Sequence, residues 1–445
     1  MCIKRCIFGF IGLLIWGMTS IANIAHAGLY VEITGGVAAG LPIGIVPFGV
    51  EGVDSSSVDD LSKIIKSDLE NSGQFKPLRF ELLKQFPTHQ NEVQYPYWQG
   101  LGIEDLLVGS VKKTGSTFTV SFALLDVIRQ KSEGAARSPL LSMHFDNVRS
   151  QDFRALAHHI SDCIFEKLIG IRGIFSTRIA YVSVAQGSKG TIHTLEVADS
   201  DGFNPKPLYR SAYPLMSPAW SPDGKRIAFV SFEKDRAGIN IVDVQSGRVE
   251  RLTQFPGLNN APTWSPDNQT IALVLSKDGS PKIYTMDVGS KRLSRLTDGA
   301  AIDTEPSFAP DGRSIVFTSS RGGKPQIYSV SLDSRKVERL SFKGDYNAKP
   351  SLTPDNKKLV MLHRDEGGLF SIAVQTLSTG ELKILTRSSL SDSPNLAPNG
   401  MMVLYGSEEG GQGVLGAVSL DGRVKIRLPS REGNVQEPAW SPFVK

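Results

Sequence analysis

A repeated stretch in the second half of the chain decides the fold. It reads SPAWSPDGKRIAFV at 217–230 and returns as APTWSPDNQTIALV at 261–274, EPSFAPDGRSIVFT at 305–318, KPSLTPDNKKLVML at 349–362, SPNLAPNGMMVLYG at 393–406 and EPAWSPFVK at 437–445. Consecutive copies begin 44 residues apart. A period of about 40–50 residues, in which short β-branched and aromatic runs alternate with Pro-Asp-Gly turns, is typical of four-stranded propeller blades.

One repeat predicts four strands. An innermost strand ends at Trp220, and 221–224 turns the chain because proline presets φ, aspartate bonds its own backbone and glycine tolerates a positive φ. The runs 226–231, 239–244 and 248–253 follow as the second, third and fourth strands. The aspartates of these turns are interpreted as residues that stabilise the turn, and calcium binding is the alternative: Asp223, Asp267, Asp311 and Asp355. One position of the repeat holds a large apolar side chain that is predicted to pack between neighbouring blades, and a row of ligand-binding residues is the alternative: Trp220, Trp264, Phe308, Leu352, Leu396 and Trp440.

The two ends of the repeat region are incomplete and complementary. The last copy stops after one strand, whereas 178–211 has strands two to four without a first strand. Pairing Glu437–Ser441 with the strands of 178–211 completes one blade and removes two open sheet edges. Residues 173–445 are therefore predicted to form an all-β, six-bladed β-propeller of WD40-like or PD40 repeats, closed by the C-terminal strand.

Residues 41–172 carry helical as well as strand patterns. Leu41–Phe48 is an apolar run typical of a buried strand, and Asp59–Asn71 carries apolar residues at helical spacing. A strand hairpin is expected within 105–128 and a last helix over 151–168. The sequence therefore predicts an α/β N-terminal domain, followed by the propeller after a short glycine-flanked link.

The first 27 residues have the three parts of a secretory signal peptide: a basic start, an apolar run from Cys6 to Met18 and the small-residue ending Ala25-His26-Ala27. Cleavage is expected between Ala27 and Gly28. An uncleaved membrane anchor is the alternative, but an apolar run of this length covers only about 20 Å, whereas the hydrocarbon core of a membrane is about 30 Å thick. The chain is therefore expected to be exported without membrane insertion, and only Cys163 then remains, so no internal disulfide forms.

Residues 28–40, GLYVEITGGVAAG, are predicted to form a flexible N-terminal arm. Leu29, Val31 and Ile33 alternate with other residue types, which predicts a short strand, and the small residues after Thr34 predict a hinge. Such a strand pairs either within its own domain or with the edge of a foreign sheet. The pattern alone leaves both alternatives open.

Composition and motifs give little sign of catalysis or of nucleic-acid binding. The formal net charge is only +4, and Lys4 and Arg5 lie in the segment predicted to be removed, so electrostatics give no reason to expect a nucleic-acid partner. The chain has no G-x-S-x-G, H-E-x-x-H, phosphate-binding glycine loop or C-x-x-C motif. The adjacent His158 and His159 are interpreted as a surface pair with a structural or incidental role. No catalytic residue, cofactor or metal is predicted.

These features together resemble the TolB family of the Tol-Pal cell-envelope system. The likeness covers the whole chain after Ala27 and is most specific in PIGIVPF (42–48), FEKLIGIRGIFSTRIAYV (165–182), PLMSPAWSPDGKRIAFV (214–230) and EPAWSP (437–442). The resemblance implies a non-enzymatic periplasmic hub, a monomer by itself, that supports outer-membrane integrity and membrane invagination during cell division.

The resemblance also implies two protein partners. The first is Pal, the peptidoglycan-associated outer-membrane lipoprotein, bound at the mouth of the propeller channel by loops that correspond to Asn260, Ala261, Thr304 and Glu305. Leu258 stands where relatives often have histidine. The second is the inner-membrane protein TolA, bound through the arm residues Gly28, Leu29, Tyr30, Val31, Glu32, Ile33, Thr34, Gly35, Gly36, Val37, Ala38 and Ala39. A secreted propeller hydrolase or a carbohydrate-binding module is the alternative function.

Overall fold

The computed structural model describes residues 30–33, 40–52, 59–128, 138–188, 190–233, 236–386, 392–429 and 434–443. The predicted signal peptide and its cleavage site lie outside these ranges, as do residues 28–29 and 34–39 of the predicted arm. The described part of the arm is a strand, β1 (Tyr30–Ile33). Within the described ranges, no helix combines the length and the apolar composition that crossing a membrane requires.

The N-terminal domain is a mixed sheet covered by helices. Its strands are β2 (Leu41–Ile45), β3 (Gly49–Glu51), β4 (Phe75–Pro77), β5 (Asp105–Thr114), β6 (Thr117–Asp126) and β7 (Leu141–Val148), and its helices are α1 (Asp59–Asn71), α2 (Tyr95–Gly100) and α3 (Phe153–Ile169). The sheet order is β4-β2-β5-β6-β7, with β3 beside β5. β2 pairs in parallel with β4 and β5, whereas β5, β6 and β7 are antiparallel neighbours.

One apolar core joins α1 and α3 to the sheet. Buried residues recur at helical spacing on both helices and pack against the sheet: Leu61, Ile65 and Leu69 on α1, and Phe153, Leu156, Ile160 and Ile164 on α3. A second cluster forms around the fully buried Trp98 of α2. The α/β prediction is confirmed, but the strand predicted within 41–48, β2, ends at Ile45 rather than Phe48. Beyond Ile45, the Val46 N–H still donates to the Leu107 carbonyl at 3.1 Å, and the Phe48 N–H then donates to the Ser62 hydroxyl of α1 at 3.0 Å.

The propeller strands are β8 (Arg178–Gly187), β9 (Gly190–Asp199), β10 (Lys206–Ser211), β11 (Leu215–Trp220), β12 (Arg226–Ser231), β13 (Gly238–Asp243), β14 (Val249–Thr253), β15 (Asn259–Trp264), β16 (Thr270–Leu275), β17 (Lys282–Asp287), β18 (Leu293–Arg295), β19 (Asp303–Phe308), β20 (Ser314–Ser319), β21 (Gln326–Ser331), β22 (Val337–Arg339), β23 (Tyr346–Leu352), β24 (Lys358–Arg364), β25 (Ser371–Thr376), β26 (Leu382–Ile384), β27 (Asp392–Leu396), β28 (Met402–Glu409), β29 (Gln412–Ser419), β30 (Val424–Arg427) and β31 (Asn434–Trp440). Successive groups of four from β11 to β30 form blades two to six. Blade one combines β8, β9 and β10 with β31.

The ring closes through strand pairing between its two ends. β31 lies antiparallel to β8, from Asn434 opposite Val184 to Trp440 opposite Ile179. The Trp440 indole donates a hydrogen bond of 2.8 Å to the Thr177 hydroxyl. The predicted six-bladed propeller, closed by the C-terminal strand, is confirmed.

The repeated tryptophans and aspartates have the structural roles that the sequence predicts. The Trp264 indole donates across a blade boundary to the carbonyl oxygen of Ala219, at 3.1 Å. Asp223 accepts hydrogen bonds from the Ser221 hydroxyl at 2.6 Å and from the Lys225 backbone N–H at 3.0 Å. The same two contacts recur at Asp267 and Asp355. Local hydrogen bonds therefore fix the turn that precedes the second strand in blades two, three and five.

Candidate functional site

Six residues with a left-handed backbone line the channel at the end where the innermost strands begin, which we call the mouth. Their φ angles lie between 46° and 53°, and a bulge interrupts each strand at this point: Ser217, Ala261, Glu305, Lys349, Ser393 and Glu437. A left-handed backbone costs a non-glycine residue about 1–2 kcal/mol. Since four different residue types adopt it at six equivalent positions, the ring geometry imposes it. The channel encloses about 600 Å³.

Two glutamates at the mouth bind the neighbouring blade. Glu437 accepts the backbone N–H of Ser217 at 2.9 Å, and Glu305 accepts that of Lys349 at 3.0 Å. The Lys349 ammonium donates to Asp392 at 2.8 Å. Burial, the largest effect, lowers the pKa of Lys349, but Glu437 and Asp392 more than offset it, so the pKa lies above its ordinary value. The mouth therefore carries charges of both signs in fixed positions.

The four residues predicted to bind Pal lie on two neighbouring innermost strands at this mouth. Asn260 and Ala261 belong to β15, and Thr304 and Glu305 belong to β19. The side-chain oxygen of Asn260 accepts the Ala261 backbone N–H at 2.8 Å, and Glu305 accepts the Thr318 hydroxyl at 2.8 Å. All four are only partly buried, so a partner at the mouth reaches side chains that are already held in place.

Leu258 lies on the loop that leads into β15. Its side chain is partly buried against an apolar cluster between blades three and four that includes Ile283 and Leu296. Its backbone N–H donates to the Ser276 hydroxyl at 2.8 Å. Leu258 therefore contributes to the packing between blades three and four.

The described strand of the arm lies on the outer edge of blade six. β1 pairs antiparallel with β30, from Tyr30 opposite Arg427 to Ile33 opposite Val424. Blade six is therefore a five-stranded sheet in which β1 is the outermost strand. In this structure β1 therefore pairs neither within the N-terminal domain nor with another chain, but with the edge of the propeller of the same chain.

A charged network that the sequence pattern did not indicate joins the two domains. Arg154 of α3 pairs with Asp199 and Asp201, on the turn between β9 and β10. His158, one turn further along α3, is 3% exposed, and its Nδ1 lies 2.8 Å from Asp68 Oδ2 in α1. Its Nε2 lies 3.8 Å from the Asp201 carboxylate. The interpretation of His158 as a surface residue was therefore wrong, because this face of α3 packs against a second domain.

Two carboxylates determine the charge of His158. Burial, the largest effect, lowers its pKa, but Asp68 and Asp201 more than offset burial and raise the pKa above its ordinary value. The spacing of Arg154, His158 and Asp162, four residues apart, is the signal that places all three on one helix face. Asp162 accepts the backbone N–H groups at 175 and 176, at 2.8 Å and 3.0 Å. This polar face of α3 therefore holds the start of the propeller.

The same network contains the one group of possible metal ligands found among the described residues. Atoms of Asp68, His158 and Asp201 lie within 4.8 Å of one another. The guanidinium of Arg154 already binds Asp201, and a cation so close opposes a metal ion at that carboxylate. We therefore interpret the group as an ionic network rather than a metal centre.

A cavity of about 460 Å³ lies between the two domains beside this network. Its lining is mostly apolar and includes Phe165 of α3, Phe175 of the link, and Leu428 and Trp440 of the propeller. Ile426 of β30 also lines it, so the strand that holds β1 forms one wall. The docked arm and the domain seam are therefore close to each other.

Comparisons with known proteins agree with this architecture. The TolB amino-terminal domain model matches residues 29–133 and the TolB beta propeller domain model matches 165–444. The Tol-Pal system protein TolB of Coxiella burnetii is 59% identical over 424 residues, which cover 95% of both chains. The corresponding protein of Thioalkalivibrio sulfidiphilus is 54% identical over 422 residues, which cover 94% of this chain and 95% of that one.

A solved structure gives the same result. The crystal structure of TolB from Acinetobacter baumannii superposes with a TM-score of 0.84 at 39% identity and covers 94% of this chain and 100% of that one. By these matches, the chain belongs to the TolB family, the periplasmic cell-envelope components of the Tol-Pal system.

Proposed function

We propose that this chain is a non-enzymatic interaction hub that binds Pal at the propeller mouth and TolA through the arm 28–39. In this role it supports outer-membrane integrity and the invagination of the membranes during cell division. Membership of the TolB family places the chain in the Tol-Pal system and supports the choice of partners. Export through cleavage between Ala27 and Gly28 is part of the same proposal.

The pairing of β1 with β30 is the observation that carries this proposal. Four residues form the whole described ladder between these strands. So short a strand at the edge of a sheet is held mainly by backbone hydrogen bonds, which any other sheet edge can also offer. An arm that leaves blade six can therefore add itself as a strand to TolA.

The mouth is suited to a protein partner. Loops that precede the innermost strands converge on one face of a closed ring, and a rigid scaffold positions such loops well for binding. Glu305 is fixed by Thr318 and by the backbone of Lys349, so little order has to be created when a partner binds. These features support Asn260, Ala261, Thr304 and Glu305 as the Pal contacts.

Blade six offers a physical route between the two binding events. Its innermost strand β27 begins with Asp392, which binds the Lys349 ammonium at the mouth. Its fourth strand, β30, pairs with β1. We infer that Pal binding and display of the arm are coupled, which requires that Pal prefers one of the two arm arrangements.

The experiment separates the two sites. Deletion of Gly28–Ala39 should abolish TolA binding and leave the affinity for soluble Pal nearly unchanged, as measured by titration calorimetry. Glu305→Ala should weaken Pal binding by about tenfold and keep the fold. Glu250→Ala, on the outer strand β14, is the matched control and should change neither. An equal loss of affinity for Pal and for TolA on deletion of the arm would contradict the assignment of the two partners to separate sites.

The same preparation tests the alternative function. A hub should recover Pal from envelope extract, whereas a hydrolase or carbohydrate-binding module should retain a substrate-like ligand in the channel instead. Recovery of such a ligand without Pal would overturn the proposal.

A further inference from the structure

A buried ion pair lies beneath the mouth where blade three meets blade four. The side chains of Lys282, at the start of β17, and Asp303, at the start of β19, are 1% and 0% exposed. The Lys282 ammonium donates to the backbone carbonyls of Pro281 and Ala301 and lies 3.8 Å from Asp303 Oδ2. The ammonium therefore holds the loop that leads into β19.

Asp303 also holds an arginine at the surface. Its Oδ1 accepts hydrogen bonds from the Ser319 hydroxyl at 2.6 Å and from Arg321 Nη2 at 3.0 Å. The guanidinium of Arg321 lies 5.2 Å and 5.1 Å from the ring centres of Phe317 and Tyr328. About a quarter of the Arg321 side chain remains exposed, so the charge is fixed in position and still accessible.

The next blade boundary holds the equivalent loop with a pair of amides in place of the buried lysine and aspartate. The residues 44 positions after Lys282 and Asp303 are Gln326 and Asn347, which are also buried. The Asn347 amide donates to Gln326 Oε1 at 2.8 Å and to the Lys343 carbonyl at 2.8 Å, and so holds the equivalent loop. Here the loop is held by an amide pair supported by His363, whose Nδ1 lies 2.7 Å from Asn347 Oδ1, and no buried lysine is needed. Burying charges costs desolvation energy, so the presence of Lys282 and Asp303 at the boundary between blades three and four is not explained by the fold alone.

The difference between the two boundaries appears at the surface. Ile302, next to Asp303, is 52% exposed, and its backbone exchanges hydrogen bonds with Ser320, the residue before Arg321. The residue equivalent to Arg321 at the next boundary is Asp365, which has the opposite charge. Blade five instead holds Arg364 by Asp345 over the rings of Tyr346 and Phe370, whereas blade four presents the exposed aliphatic Ile302 on the loop bonded to Ser320, directly before Thr304 and Glu305.

We propose that Asp303 is a positioning residue for partner binding, which fixes Arg321 beside Ile302 so that they receive a carboxylate and an apolar side chain of Pal. Lys282 compensates the buried charge of Asp303 and holds the loop. This inference rests on the proposed function, because it extends the Pal surface from Thr304 and Glu305 to the outer side of the same loop.

The test separates positioning from stability. In Asp303→Asn, Lys282 keeps a buried charge without its carboxylate, so both the melting temperature and the affinity for Pal should fall. The double variant K282Q/D303N copies the pair Gln326 and Asn347, so its melting temperature should return close to that of the unaltered chain. Its affinity for Pal should stay about tenfold weaker, because Arg321 has lost its anchor. Calorimetry and titration of the same samples with soluble Pal give both values.

Single changes at the surface complete the experiment. Arg321→Gln should weaken Pal binding by about tenfold, reduce its dependence on salt and add nothing when combined with K282Q/D303N. Arg251→Gln, which removes a partly exposed arginine from the outer strand β14, is the matched control and should not affect binding.

Two outcomes overturn the proposal and are distinguishable from each other. Full recovery of both stability and affinity in K282Q/D303N would show that the cluster is only structural. Absence of any binding between Pal and the unaltered chain would overturn the proposed function itself, and this inference with it.

Discussion

Two seams hold this molecule together, and they are built from different interactions. The ring-closing seam between β31 and β8 consists of backbone pairing and the buried Trp440. The domain seam includes the side-chain ion pairs that Arg154 and His158 of α3 make with Asp199 and Asp201 of the propeller. Backbone hydrogen bonds and apolar packing respond little to salt or pH, whereas ion pairs respond to both. The ring is therefore expected to keep its shape under conditions that loosen the domains.

Removing 437–445 should have the largest effect, because it deletes most of β31 and leaves β8 with an open edge. Loss of a buried tryptophan alone costs about 3–5 kcal/mol. We expect the melting temperature to fall by at least about 10 °C, or the cooperative transition to disappear, in scanning calorimetry. A chain that lacks only Val444 and Lys445 is the control. An unchanged melting temperature in the longer truncation would show that the closing seam is dispensable.

Arg154→Gln attacks the domain seam and should have an intermediate effect. It leaves Asp199 and Asp201 close together without a cation, at a cost of about 2 kcal/mol in the free energy of unfolding. Urea titration should show a larger cost at low salt than at high salt. The matched control Arg251→Gln breaks a surface pair with Glu233, which is worth less than about 1 kcal/mol. An equal loss in the free energy of unfolding for the two variants would mean that the Arg154 ion pairs stabilise the protein no more than a surface ion pair does.

Protonation of His158 should make the domain seam sensitive to pH, which is the smallest of the three effects. The folded protein raises the pKa of His158, so it binds the proton more tightly than the unfolded chain does. The resulting stabilisation is complete below about pH 6.5 and is lost as the pH rises through the raised pKa. We expect urea titrations to show a falling free energy of unfolding over this range, and no such fall in His158→Gln.

The neighbouring histidine provides the control for this measurement. His159 is exposed on the other side of α3, so His159→Gln should keep the pH dependence of the unaltered chain. Loss of the dependence in both variants would remove His158 as its source.

The propeller could be predicted from the sequence because its signals are local and repeated. Each turn carries its own hydrogen-bonding residues, such as Ser221 and Asp223, and the spacing of 44 residues counts the blades. The helix over 59–71 was predicted with the bounds that the structure has, since it carries a strong apolar stripe. Closure by the last strand followed from two incomplete ends that complement each other.

Features that depend on distant partners could not be predicted in the same way. β7 alternates between partly buried and exposed residues and is defined by its pairing with β6. The burial of His158 depends on a domain interface that a single helical pattern does not reveal. The charges at Lys282 and Asp303 lie on different blades, 21 positions apart in the chain, and only the ring brings them together.

The pairing of β1 with β30 also sets an order of events during folding. β1 lies near the start of the chain, yet its partner is part of the last complete blade, nearly 400 residues later. A contact between such distant segments forms late, because the loop between them has to be ordered first. Until blade six has formed, the arm has no edge to occupy, so a docked arm reports that β30 is in place.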